Sequence, residues 1–352
     1  MTEQYDNPLG IDGFEFVEFA SPEPAALHAL FKALGFSAVG KHKTKNITLY
    51  RQGDSNFLVN EEPDGFAADF AKEHGPCAPG FSIRVADAGK ARATALEKGG
   101  EAIDHKPDTV AICTPMIKGI GGAVLYLVDK YGDKGSVYED EFDFIEGAHA
   151  HPKGYGLTFI DHLTHNVFYG NMEKVADFYE KLFNFREIRY FDIKGAQTGL
   201  VSKAMTAPDE MVRIPINESP DEGSQINEYL REYKGEGIQH IALFTDNIYE
   251  TIESIRSHDI AFLDTPDTYY DVVDERIKGH QEDVPRMLNN GILIDCDRDD
   301  PSKILLQIFT KNVIGPIFFE VIQRKGNEGF GEGNFQALFE SIERDQVRRG
   351  VI

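Results

Sequence analysis

The sequence predicts an α+β fold made of two tandem domains that repeat one succession of elements. Three observations carry this. The 352 residues exceed what a single ordinary core accommodates and suit two. A strand, a helix, short strands, then strand, helix and strand again occur in that order in each half. Each copy also places apolar residues at helical spacing directly after its first strand: Leu27, Leu30, Phe31 and Leu34 in one, Val175, Phe178, Tyr179 and Leu182 in the other.

In the first half, residues 11–19 read as a strand that Pro22 and Pro24 break. The helix carrying Leu27–Leu34 stops at Gly35, and short strands follow at 46–50 and 56–60. Residues 81–85 alternate as a strand, 88–98 form a second helix ended by Gly99-Gly100, and 123–128 form the last strand. The stretch 140–156 is rich in charge and glycine and shows no periodicity, so domains are expected at 1–150 and 151–352. The second half repeats the order with strands at 160–168, 199–204, 212–216, 240–244 and 317–322 and a helix at 248–257. An insertion at roughly 267–300 is polar and predicts loops and a short helix. After a glycine-rich turn at 326–333, Asn334 is placed to cap a helix over 334–349, whose apolar face is Phe335, Leu338, Phe339 and Ile342. That helix reads equally as a terminal element packed on the core and as a lid over a site.

Composition narrows the function. A net charge of -23 repels phosphate backbones, so nucleic acid is not expected as a partner. No apolar run approaches the ~18 residues of a membrane span, and the polar N-terminus is unlike a secretory signal. Cys77, Cys113 and Cys296 are odd in number and far apart, which predicts a reducing, cytoplasmic setting without disulfides or a thiolate zinc site.

Overlaying the halves gives the chemistry. Ile11-Asp12-Gly13 matches Ile160-Asp161-His162, Phe81 matches His240, and Tyr126 matches Glu320. The second half thus carries two histidines and a carboxylate where the first carries none. Such a set on three strands is the facial triad of non-haem ferrous oxygenases: it leaves a divalent ion a net charge of about +1 and open positions for substrate and O₂. Zinc or copper would also bind these donors, so the pattern defines geometry before metal identity. Strand alternation puts His162 and Thr164 on one face and His165 on the other, which makes His162 the ligand and His165 a packing residue. Taken singly, His240 reads as an ordinary core histidine and Glu320 as the partner of Arg324. Within so apolar a strand as 317–322, however, a carboxylate needs a strong partner, and a metal supplies one.

At these residues the chain resembles the 4-hydroxyphenylpyruvate dioxygenase family of the vicinal oxygen chelate superfamily, over nearly its whole length. The resemblance is carried by Ile160–Asn166, Gly237–His240, Leu305–Phe309, Phe318–Arg324 and Gly329–Phe335. It implies βαβββ modules that curl each domain into an open, strongly curved barrel-like sheet with outer helices. The first domain would be non-catalytic, and the second would be the Fe(II) domain closed by the lid helix. It implies Fe(II) on His162, His240 and Glu320, and 4-hydroxyphenylpyruvate and O₂ as substrates. The 2-oxo acid chelates the iron, carbon dioxide leaves, the ring is hydroxylated, and the side chain migrates to give homogentisate, a step of tyrosine catabolism. By position, Gln225, Gln239 and Gln307 match catalytic glutamines, while Ser202, Pro215, Asn217, Phe309, Phe318, Phe330, Asn334 and Phe335 match substrate contacts. The family also implies a homodimer or homotetramer. Two other functions are weighed: 4-hydroxymandelate synthase, which oxygenates the benzylic carbon of the same substrate, and a metal-free binding module of the same fold.

Overall fold

The computed structural model describes residues 5–103, 109–194, 199–334 and 337. Its strands fall into two sheets of eight. The first comprises β1 (Phe14–Ala20), β2 (Ser37–His42), β3 (Ile47–Gln52), β4 (Ser55–Asn60), β5 (Cys77–Arg84), β6 (Met116–Lys118), β7 (Val124–Val128) and β8 (Phe142–Phe144). The second comprises β9 (Leu157–Asn166), β10 (Arg186–Lys194), β11 (Gly199–Thr206), β12 (Arg213–Glu218), β13 (Gly237–Thr245), β14 (Leu293–Cys296), β15 (Ile304–Phe309) and β16 (Phe318–Lys325).

The duplication is plain in the pairing. In the first sheet β1 runs parallel to β4 and antiparallel to β5, which runs parallel to β7. In the second, β9 stands in the same relation to β12 and β13, and β13 to β16. Helices such as Pro24–Ala33, Met172–Phe183 and Ile248–Arg256 supply the crossovers that parallel pairs require.

Several elements escape a reading of periodicity. Strand β10 is one, because its apolar residues are diluted by charge: Arg186, Glu187, Arg189, Asp192 and Lys194. Strand β8 has three residues, too few to show a period, and adds to β2 at the edge of the first sheet. Within the polar insertion lie helices at Val273–Arg276 and Val284–Asn290, and strand β14 follows them and pairs with β15. The helix Gln225–Tyr233 was legible in principle, since Ser224 caps it and Ile226, Tyr229, Leu230 and Tyr233 follow at i, i+3, i+4, i+7. The expected helix over 334–349, with Phe335, lies outside the described residues apart from Asn334 and Ala337. Helical residues begin at Glu332, so Asn334 is not the cap; its side-chain oxygen accepts from the Tyr269 hydroxyl at 2.6 Å.

The pairing also corrects the overlay of the halves. Tyr126 lies opposite Ser82 as Glu320 lies opposite Ala242, so that match holds. It follows that Gly80, not Phe81, occupies the place of His240. Gly80 pairs with Glu18 as His240 pairs with Thr164, so Phe16, not Gly13, stands where His162 does. Gly13 precedes β1 altogether and has φ +85°. The one-residue slip matters because it exchanges faces: Phe81 points to the other domain, 5.8 Å from the His165 ring.

The two sheet interiors have different fates. In the first domain Phe16, Leu58, Val124, Tyr126 and the segment Val110–Ile112 form a closed apolar cluster, with the Phe16 and Tyr126 rings 5.2 Å apart. In the second domain the corresponding face lines a cavity. Alternate residues of its central strands, Leu163, Ile241 and Phe319, face the opposite way into a core shared with Phe19, Phe57 and Phe81 of the first domain. The first domain is therefore the wall against which the site-bearing strands are packed.

Candidate metal centre

The three expected ligands converge. His162 on β9, His240 on β13 and Glu320 on β16 place one donor atom each within 4.8 Å of the others. Glu320 Oε2 lies 3.2 Å from His162 Nε2 and 3.4 Å from His240 Nε2. The other carboxylate oxygen, Oε1, is buried and has no hydrogen-bond partner. A buried oxygen of that kind costs free energy unless something is bound to it. Arg324 does not serve Glu320; it is engaged by Asp161.

Both strands are irregular immediately before their histidine. The register of β9 on β13 steps at Asp161 and again at Gln239. A bulge lets neighbouring side chains leave the same face of a sheet. Asp161 Oδ1 thereby reaches His162 Nδ1 at 2.8 Å, and Gln239 Oε1 reaches His240 Nδ1 at 3.0 Å. With each Nδ1 engaged, Nε2 is the nitrogen turned toward Glu320 on both rings; on His240 it also meets the Thr164 hydroxyl at 2.9 Å. Two imidazoles and one carboxylate with open space beside them suit octahedral Fe(II).

Electrostatics distinguish the two rings. Burial alone would depress the His162 imidazole, but the Glu320 and Asp161 carboxylates outweigh it and raise its pKa. His240 has no such second carboxylate, and burial lowers its pKa. Burial likewise opposes charge on Glu320, yet His162 and His240 hold that carboxyl below its usual range. For Asp161, the Arg324 guanidinium overcomes full burial and keeps the carboxyl well below the ordinary value.

His165 sits on the far face, as alternation predicted. Its Nε2 is 2.7 Å from the Tyr179 hydroxyl, and burial pushes its pKa down from 6.5 to about 3. The folded state therefore refuses a proton that the unfolded chain accepts below pH 6.5. The associated stability is complete above that pH and is lost as pH falls toward about 3, at ~1.4 kcal/mol per unit. Urea unfolding between pH 7 and 4 should show this slope, and His165→Gln should remove it.

The triad opens onto a cavity of ≈ 260 Å³. Phe318 stacks on His240 at 4.8 Å and 21°, Phe309 stands edge-on to Phe318 at 6.0 Å, and Phe330 meets His162 edge-on at 5.2 Å. Ser202 and Asn217 are a cross-strand pair on β11 and β12 and reach the cavity together with Pro215, Gln225 and Gln239. Gln307 and Asn334 do not line it. Gln307 instead lies against Gly331; a Cβ there would sit 1.8 Å from Gln307 Oε1 and push that amide aside, while the φ of +76° is the conformation that favours glycine. Phe191 and Ile193 of β10, with Leu200, Ile226 and Leu263, complete the apolar lining and were not anticipated. The i, i+2 spacing of Phe191 and Ile193 was the available signal for the first two.

Residues 5–144 match the family described as hydroxyphenylpyruvate dioxygenase, N-terminal, and residues 159–273 match the glyoxalase/bleomycin resistance protein/dioxygenase superfamily. A 4-hydroxyphenylpyruvate dioxygenase of Pseudomonas sp. (strain P.J. 874) is 52% identical over 99% of this chain and 98% of that protein. The hemolysin VllY of Vibrio vulnificus is 56% identical over 98% of each. A solved fusion of a xylose isomerase-like TIM barrel with a 4-hydroxyphenylpyruvate dioxygenase superposes with a TM-score of 0.81 at 28% identity, covering 97% of this chain and 54% of that one.

A doubled βαβββ chain with a His–His–Glu cluster in one copy defines a vicinal oxygen chelate enzyme. More narrowly, the chain belongs to the 4-hydroxyphenylpyruvate dioxygenase family and is a non-haem Fe(II) dioxygenase.

Proposed function

We propose that the protein converts 4-hydroxyphenylpyruvate and O₂ to homogentisate and CO₂, with His162, His240 and Glu320 holding Fe(II) at the floor of the cavity. The single observation that carries this is the convergence of those three donors beside an aromatic cleft, in a chain about half identical to a 4-hydroxyphenylpyruvate dioxygenase over its whole length. When bound, the iron supplies the redox chemistry that joins dioxygen to a chelated 2-oxo acid.

The rest falls to the chain itself. Phe309 and Phe318 offer ring faces for the phenol, and edge or offset contacts of this kind add ~0.5–1.5 kcal/mol each. Ser202, Asn217, Gln225 and Gln239 provide hydrogen-bonding groups at the cavity wall, which fix the phenol and the side chain relative to the ligands. Phe330 covers His162 and keeps water from that side of the triad. With a net charge of -23 the long-range field opposes an anionic oxo acid, so capture depends on the ion and these local donors. A cytoplasmic enzyme fits the cysteine usage, and no helix among the described residues is long and apolar enough to cross a membrane.

Oxygen uptake by the Fe(II)-loaded protein with 4-hydroxyphenylpyruvate, with the product identified by chromatography, tests the reading. Homogentisate is the expected product. Formation of 4-hydroxymandelate would replace the proposal by the synthase, and binding of the oxo acid without O₂ consumption would replace it by a binding module.

A further inference from the structure

Beyond the triad, the second domain holds a buried charge network that the proposed reaction does not use. Asp161 is fully buried. Arg324 grips both of its oxygens, Nη2 to Oδ1 at 2.7 Å and Nε to Oδ2 at 2.8 Å, and Arg213 adds a contact to Oδ2 at 3.3 Å. The remaining nitrogen of the fork, Arg324 Nη1, donates to the carbonyls of Asn327 at 3.1 Å and Gly329 at 2.6 Å. Arg213 reaches the same turn through Glu328, at 2.8 Å. The guanidinium of Arg324 also lies 5.7 Å from the centre of the Phe330 ring. Asp161 is thus held on one side by arginines that clasp the turn before Phe330, and on the other it binds His162 Nδ1.

The two histidines are backed unequally. Gln239, behind His240, is a neutral amide that also lines the cavity. Asp161, behind His162, is a carboxylate with no exposure to the cavity or to solvent. A carboxylate on the far nitrogen orients a ligand imidazole and raises its basicity, whereas an amide orients it only.

We propose that Asp161, clamped by Arg324, is a positioning residue that fixes the ring of His162 and strengthens it as a donor relative to His240, and that Arg324 ties this ligand to the turn carrying Phe330. The inference rests on His162, His240 and Glu320 being the ligand set. A bidentate arginine holds a carboxylate in one plane, so the Asp161 oxygen offered to His162 has a defined direction. Breaking the pair also leaves Arg324 buried and uncompensated, so stability and metal affinity must be read separately.

The experiment compares wild type, D161N, the double variant D161N/R324M and Q239L, each titrated with Co(II) alone and followed by its visible absorption, with thermal unfolding of the metal-free proteins alongside. D161N should bind Co(II) about 10–100-fold more weakly and with shifted bands, and more weakly than Q239L, which removes a neutral partner. D161N/R324M should recover thermal stability, because both charges are gone, without recovering affinity or spectrum. Recovery of affinity together with stability would show a merely structural ion pair and overturn the proposal. So would D161N with wild-type affinity and spectrum. If neither aspartate variant folds, R324K keeps the charge and loses the fork: weakened Co(II) binding supports the proposal and unchanged binding overturns it. Wild-type protein that binds no Co(II) overturns the ligand reading itself, and this inference with it.

Discussion

Replacing His162 by alanine should abolish metal binding, while replacing His165, three residues along the same strand, should leave the metal in place and destabilise the fold. The contrast follows from the two faces of β9. His162 is fixed through Nδ1 by Asp161 and points Nε2 at Glu320, so its loss removes one of three donors. His165 fills the boundary between the domains, bonded to Tyr179 and edge-on to Phe81. His165→Ala leaves a cavity there and an unpaired Tyr179 hydroxyl, a cost of roughly 2–4 kcal/mol. Fe(II) or Co(II) stoichiometry together with chemical unfolding checks both arms. Retention of metal by His162→Ala with its loss in His165→Ala would reverse the assignment of faces.

Glu320→Gln should be nearly as severe. The amide preserves shape and removes the single anion of the ligand set, so a bound divalent ion would face two neutral imidazoles with its charge uncompensated. Loss of an outer partner of a metal ligand already costs 10–100-fold, so loss of a ligand charge should weaken Fe(II) binding by more than about a hundredfold. The metal-free variant should remain folded, because Glu320 Oε1 has no partner to lose and Oε2 touches only the two histidines. Metal titration and thermal unfolding of the same samples read the two effects apart. Tight iron binding by Glu320→Gln would remove the carboxylate from the ligand set.

Much of this was legible in the linear chain because both signals are local. A strand face repeats every second residue, which suffices to separate His162 from His165. A helix face repeats at three and four, which suffices to find the crossovers at Pro24–Ala33, Met172–Phe183 and Ile248–Arg256. Strands whose apolar residues are thinned by charge, as in β10, or that are short edge additions, as in β8 and β14, carry no such period and were not found. The overlay of the halves was right about what the first lacks and wrong about two of the positions, Gly13 and Phe81. Sequence spacing cannot see the bulges that shift one strand against its neighbour.

The sequence by itself determined the duplication, the family and the three candidate ligands that the fold brings together, because residue type and periodicity are properties of neighbours along the chain. Which buried acid serves which base was decided only in three dimensions. Arg324 lies four residues from Glu320 and still pairs with Asp161, far away in the chain, because a β-bulge turns the Asp161 side chain inward beside His162. The closing of the first domain's interior was likewise decided there. Phe16, Tyr126 and residues 110–112 fill the interior that the second domain keeps open. Such filling depends on which side chains meet across strands, and spacing along one strand does not contain that information.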